Sequence, residues 1–142
     1  MLKWWVSGVL GLGLLVAAAA VPARAAEDTA QAAATAGVLD GKTFIGEVGD
    51  QGKAKGDKDE FLFQAGKFRS TACDKYGFSD AAYTTRREGG ALTFSAETIS
   101  SKEGKMVWNG TIRGNTVEGT ALWQKAEGKT PQAMWFKGSL KP

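Results

Sequence analysis

From Leu39 onward, large apolar residues recur at every second position in short runs, and glycine interrupts them about every ten residues. Period-two alternation between turn residues marks half-buried strands, and no stretch keeps the 3.6-residue period of an amphipathic helix. The pattern predicts eight strands, over residues 42–48, 59–65, 67–73, 81–87, 91–99, 104–113, 116–125 and 132–140.

Pairing across the short turns tests this reading. With Gly114-Asn115 as a two-residue turn, Ile112 faces Val117, Gly110 faces Gly119, Trp108 faces Ala121 and Met106 faces Trp123. The alternate pairs, Thr111 with Glu118 and Asn109 with Thr120, are polar, and only Val107 with Leu122 departs from the rule. With Ala65-Gly66 as a turn, Phe63 meets Phe68, Phe61 meets Ser70 and Glu60 meets Thr71. At Gly89-Gly90, Leu92, Phe94 and Ala96 face Arg87, Thr85 and Tyr83. A slip of one residue would turn every aromatic of such a ribbon into water, so the sorting specifies register.

Short links make the eight strands a meander with one apolar face. The predicted fold class is therefore all-β, an eight-stranded antiparallel up-and-down barrel, because closure removes the exposed edges. A β-sandwich or a half-open barrel is the alternative. Gly46, Gly110, Gly119 and Gly138 all fall on the inner register, where a strand bends sharply or a neighbour comes close.

In layout the segment 39–140 resembles the calycin type of small barrel, as in lipocalins and avidins. The resemblance implies a closed meander barrel. It brings no site residue, since Gly41-Lys42-Thr43-Phe44 stands where lipocalins carry Gly-x-Trp near the first strand. The Cys73–Phe78 segment, with Tyr76-Gly77-Phe78, resembles part of small secreted bacterial proteins, which implies no activity.

The N-terminus reads differently. Lys3, an apolar run from Trp4 to Val21 and the small-residue exit Ala23-Arg24-Ala25 form a secretory signal, with cleavage expected after Ala25. Residues 26–38 are alanine-rich and are expected to be a disordered leader, ahead of one barrel domain over 39–142. The expected location is secreted or periplasmic, with no membrane span after cleavage. An outer-membrane barrel would turn its apolar face outward, whereas here the opposite face carries Lys67, Arg69, Asn109, Thr111, Glu118 and Thr120.

Composition narrows the chemistry. Cleavage would remove Lys3 and Arg24 and lower the net charge from +3 to +1, and such near-balanced, interspersed charge is expected to leave no electrostatic footprint for nucleic acid or an anionic bilayer. Histidine is absent, which removes the commonest general base and transition-metal ligand. No cofactor, metal or catalytic residue is expected. The carboxylates Asp57, Asp59, Glu60, Asp74 and Asp80 fall in expected loops or strand ends with no spacing that pairs them as acid and base. Cys73, the single cysteine, is expected to be a small hydrophobe at a strand end.

Two functional expectations remain. In the first, the inward aromatics hold a small apolar or amphipathic molecule, with Phe94, Trp108, Trp123 and Phe136 as walls and Tyr83 and Arg87 as orienting polar groups. In the second, the same aromatics fill the core, and the protein is a structural or interaction module of the cell envelope. Tyr76 and Phe78, two aromatics in an expected loop, then either cap the barrel or form a surface patch.

Overall fold

The computed structural model describes residues 37–142. Residues 1–36, and with them the expected signal segment and most of the leader, lie outside the described residues. Eight strands follow one another: β1 (Thr43–Asp50), β2 (Asp57–Gln64), β3 (Lys67–Ser70), β4 (Ala81–Glu88), β5 (Ala91–Ser100), β6 (Gly104–Arg113), β7 (Thr116–Lys125) and β8 (Gln132–Leu140). Each pairs antiparallel with the next, and β1 pairs with β8, closing the barrel. The sandwich and half-open alternatives are thereby excluded. Among the described residues no helix is long and apolar enough to cross a membrane.

The hairpin registers are those the alternation demands. Phe63 faces Phe68, Phe94 faces Thr85, and Trp108 faces Ala121. At Gly89 and Gly114, φ lies near +60° (60° and 58°), which sets strand twist at tight hairpin turns. The inner glycines face each other in two pairs, Gly46 with Gly138 and Gly110 with Gly119. A methyl group at Gly46 would collide with the carbonyl oxygen of Lys137, and one at Gly119 with that of Asn109. At Gly110 it would strike the rings of Phe94 and Phe136. These positions let the wall sink toward the axis and leave its volume to the rings.

The rings fill the axis. Phe61, Phe63, Phe68, Phe94, Trp108 and Phe136 are all at most 2% exposed. Their centroids lie 4.9 Å apart for Phe63–Phe94, 5.0 Å for Phe68–Trp108, 5.1 Å for Phe61–Phe136 and 5.2 Å for Trp108–Phe136. Tilted and edge-to-face contacts at such spacing add stabilisation beyond the burial of area. The Trp108 indole N–H, deep in this cluster, donates to Thr98 Oγ1 at 3.1 Å, so its polar atom is satisfied.

Three boundaries differ from expectation by more than one residue. The third strand stops at Ser70, and Thr71–Tyr76 form a 3-10 turn, because the side chain of Asp59 captures the Ala72 N–H and draws the chain off the sheet. Cys73 therefore sits buried in that turn and not at a strand end. The link left between the expected first and second strands, residues 49–58, shrinks to residues 51–56, since β1 continues to Asp50 and β2 begins at Asp57.

The barrel has two unlike ends. Tight turns at 65–66, 89–90 and 114–115 define a hairpin end, and both chain segments flanking the barrel lie there. The turn at residues 37–41 plugs it with Leu39, which is 2% exposed. The Leu39 N–H donates to the Tyr83 hydroxyl at 3.0 Å, Tyr83 donates to Asp40 Oδ1 at 2.7 Å, and the Gly66 N–H donates to Asp40 at 3.0 Å. The loop end carries residues 51–56, the 3-10 turn with residues 77–80, and residues 101–103 and 126–131.

Candidate functional site

The residues proposed to hold a guest do not surround a common space. Phe94, Trp108 and Phe136 are three members of the packed ring cluster. Tyr83 is a brace of the hairpin end, where burial and the neighbouring Asp40 push its phenol well above the usual value. Arg87 faces Leu92 on the inner register but lies past the last ring, exposed at the hairpin rim. Trp123 sits at the opposite rim, half-buried, donating to the Glu103 carbonyl at 2.8 Å. The interior row divides among core, brace and two rims because the strands are longer than the ring cluster is deep.

Tyr76 and Phe78 also part company. Phe78 is buried with Cys73 in the core cluster, so the expectation of a surface aromatic there is corrected: the left-handed turn at Gly77 folds its ring back over the barrel. Tyr76 stays exposed, 6.4 Å from Trp123, with Lys75 over its own ring and Lys125 over Trp123. This small aromatic pair marks the loop end.

One of the five carboxylates singled out from the sequence is buried. Asp59 is 3% exposed on the inward side of β2, where it accepts from Ser70 Oγ, from the Ala72 N–H at 2.9 Å and from Thr71 Oγ1 at 3.3 Å. Burial raises its pKa above the ordinary 3.8, and the donated hydrogen bonds pull partly the other way. Cys73 is nearby, and burial pushes its thiol up to about 11. A thiol so far from ionisation is a poor nucleophile at neutral pH. Nothing in the cluster pairs Asp59 with a second carboxylate, and its network holds β2, β3 and the 3-10 turn together.

The outside of the barrel carries a concavity. Where Gly46 and Gly138 bring β1 and β8 close, the outer surface dips into a cleft of about 930 Å³ across β2, β1, β8 and β7. Opposite charges alternate along one row of it: Lys58 faces Glu47, Glu47 faces Lys137, and Lys137 faces Glu118. The next row runs Glu60, Ile45, Ser139, Thr116, with Ile45 45% exposed at its centre. A shallower extension of about 500 Å³ continues past Lys137 to Thr120 and Trp135. Charged and hydroxyl groups around one exposed aliphatic side chain can hold a polar, extended partner by hydrogen bonds and ion pairs, with a small apolar contact at the centre.

Sequence reading missed this cleft. The residues of its two rows are legible as outward-facing, yet the rows assemble only when β1 closes on β8, a pairing between the two ends of the domain that no hairpin turn announces. No protein-family model matches the chain, nor does any curated protein or any solved structure. The fold and surface define its class: a closed, ring-filled, up-and-down barrel with a polar outer cleft.

Proposed function

We propose that this protein is a secreted, periplasmic barrel of calycin-like type that serves as an interaction module of the cell envelope, acting through its outer surface and not through a guest in its interior. The observation that carries this reading is the occupation of the axis by Phe61, Phe68, Phe94, Trp108 and Phe136 in mutual contact. An eight-stranded barrel is just wide enough either to be filled by side chains or to hold one small ligand. Evicting these rings to admit a guest would expose several side chains each worth about 1.5–3 kcal/mol of burial. The N-terminal sequence pattern supports the secreted location, and the meander closed on itself supports the calycin-like type.

Two measurements test the proposal. Native mass spectrometry and tryptophan fluorescence across a panel of lipophilic and amphipathic molecules are expected to show no saturable uptake. Stoichiometric uptake that shifts Trp108 emission would overturn the reading in favour of a ligand carrier. Capture from envelope extract is expected to recover partners that are lost on Lys137→Glu with Glu47→Lys, which exchange the two central charges of the cleft row. Retention of every partner by that double variant would remove the cleft from the proposal.

A further inference from the structure

We infer that the hairpin end of the barrel is a docking face for an anionic lipid bilayer, a proposal that rests on the reading of an envelope module and names a partner for a second face of it. The observation is a segregation of charge that the near-neutral total conceals. Lys42, Lys67, Arg86, Arg87, Arg113 and Lys141 lie at strand ends or beside turns of this end, against Asp40, Glu88 and, beside Lys67, Asp80. The rest of the described chain holds ten basic and ten acidic residues.

The cations are free to act. Lys67 has Asp80 at 4.0 Å, but the other five make no ion pair among the described residues. Of the three acids, Asp80 lies against Lys67, and Asp40 is tied inward by the Tyr83 hydroxyl and the Gly66 N–H. All five free cations are exposed.

Their arrangement selects the partner. They come from the start of β1, the end of β4, the end of β6 and the segment after β8, and so stand around a closed rim rather than along one line. A planar array of phosphates meets the whole ring at once, whereas a strand-like polyanion meets only those cations on its path. Val38, 38% exposed in the turn that plugs the mouth, supplies the apolar contact that accompanies basic residues at a membrane interface. The described chain also enters the fold at this end.

Flotation of the full chain with vesicles tests the proposal, comparing pure phosphatidylcholine with phosphatidylcholine containing 30 mol% phosphatidylglycerol, a composition chosen to give roughly physiological negative potential. Residues 1–36 are common to every variant, so the preference for anionic over neutral vesicles is compared between variants. The wild type is expected to prefer anionic vesicles, increasingly so at low salt. Arg86→Gln, Arg87→Gln and Arg113→Gln together are expected to lower that preference on the order of 100-fold, taking about fivefold per charge near the surface. Lys53→Gln, Lys55→Gln and Lys129→Gln, which remove as much charge from the loop end, are expected to leave it nearly unchanged.

Equal losses in the two triple variants would overturn the proposal, since net charge alone would then govern. So would the absence of any anionic preference, or a soluble polyphosphate that displaces the protein from vesicles at equal phosphate concentration. The arginines are exposed, and Arg87→Gln and Arg113→Gln taken singly, each expected to cost about fivefold, keep the test open if the triple variant misfolds. The charge-exchanged cleft variant Lys137→Glu with Glu47→Lys leaves the hairpin rim intact, so its vesicle binding separates failure of this inference from failure of the cleft.

Discussion

Along β6 and β7 the inward register is apolar or glycine from the Ile112–Val117 pair to the Met106–Trp123 pair, whereas along β2 it runs Phe63, Phe61 and then Asp59. The two regions obey the same alternation and differ in what lies beyond the last ring. On β6, Trp108 meets Ala121 on one neighbour and Ala96 on the other, and only its N–H needs a partner, which Thr98 supplies. At Asp59 the next strand has left the sheet, and the freed backbone N–H of Ala72 with the hydroxyls of Ser70 and Thr71 meets the carboxylate. A charge is tolerated on an inward position where unpaired backbone donors come within reach, and their capture is what bends the chain away.

The apolar region should be the more sensitive. Trp108→Ala is expected to cost about 3–5 kcal/mol, since surrounding strands cannot collapse into the space of an indole. Denaturant unfolding followed by circular dichroism would check it, and a loss under about 1 kcal/mol would mean the ring cluster is loosely packed. Asp59→Ala should cost less, about 1–3 kcal/mol, by leaving the Ala72 N–H and two hydroxyls without their acceptor. The same unfolding measurement ranks the two, and a larger loss at Asp59 would reverse the comparison.

Asp59→Asn sharpens it through pH. The folded pKa of Asp59 is raised above its unfolded value of 3.8, so the native state holds this proton more tightly. Its stabilising contribution is full below 3.8 and fades as pH rises through the folded value. The wild type is therefore expected to gain stability relative to Asp59→Asn as pH falls through that window toward 3.8. Melting curves at a series of pH values check this, and parallel profiles for the two proteins would show that Asp59 is not desolvated. The smallest effect belongs to the outer wall: Lys137→Gln should change stability by no more than about 0.5 kcal/mol, because exposed charges contribute little. A larger loss would make the cleft row a structural element of the closure.

Much of this was readable along the chain. Hairpin partners are joined by two-residue turns, so alternation and turn placement suffice to pair Trp108 with Ala121 and Phe63 with Phe68. The inner glycines were legible as close approaches, as Gly110 with Gly119 shows. The early end of β3 was not, because Ala72 leaves the ladder for a hydrogen bond to a side chain thirteen residues earlier, which no local propensity encodes. Phe78 likewise goes inward through a left-handed turn at Gly77 that a loop reading leaves open.

By itself, then, the order of residues determined the number of strands, the face each side chain takes and the register of every tight hairpin, since those follow from backbone geometry over a few neighbouring positions. Only the tertiary structure decided that β1 meets β8 in the register that sets Gly46 against Gly138, and with it the outer cleft, the depth of Asp59 and the gathering at one rim of five cations without an ion pair among the described residues. The physical reason is that closure joins segments at opposite ends of the domain, where the choice among registers is made by how the whole ring cluster packs.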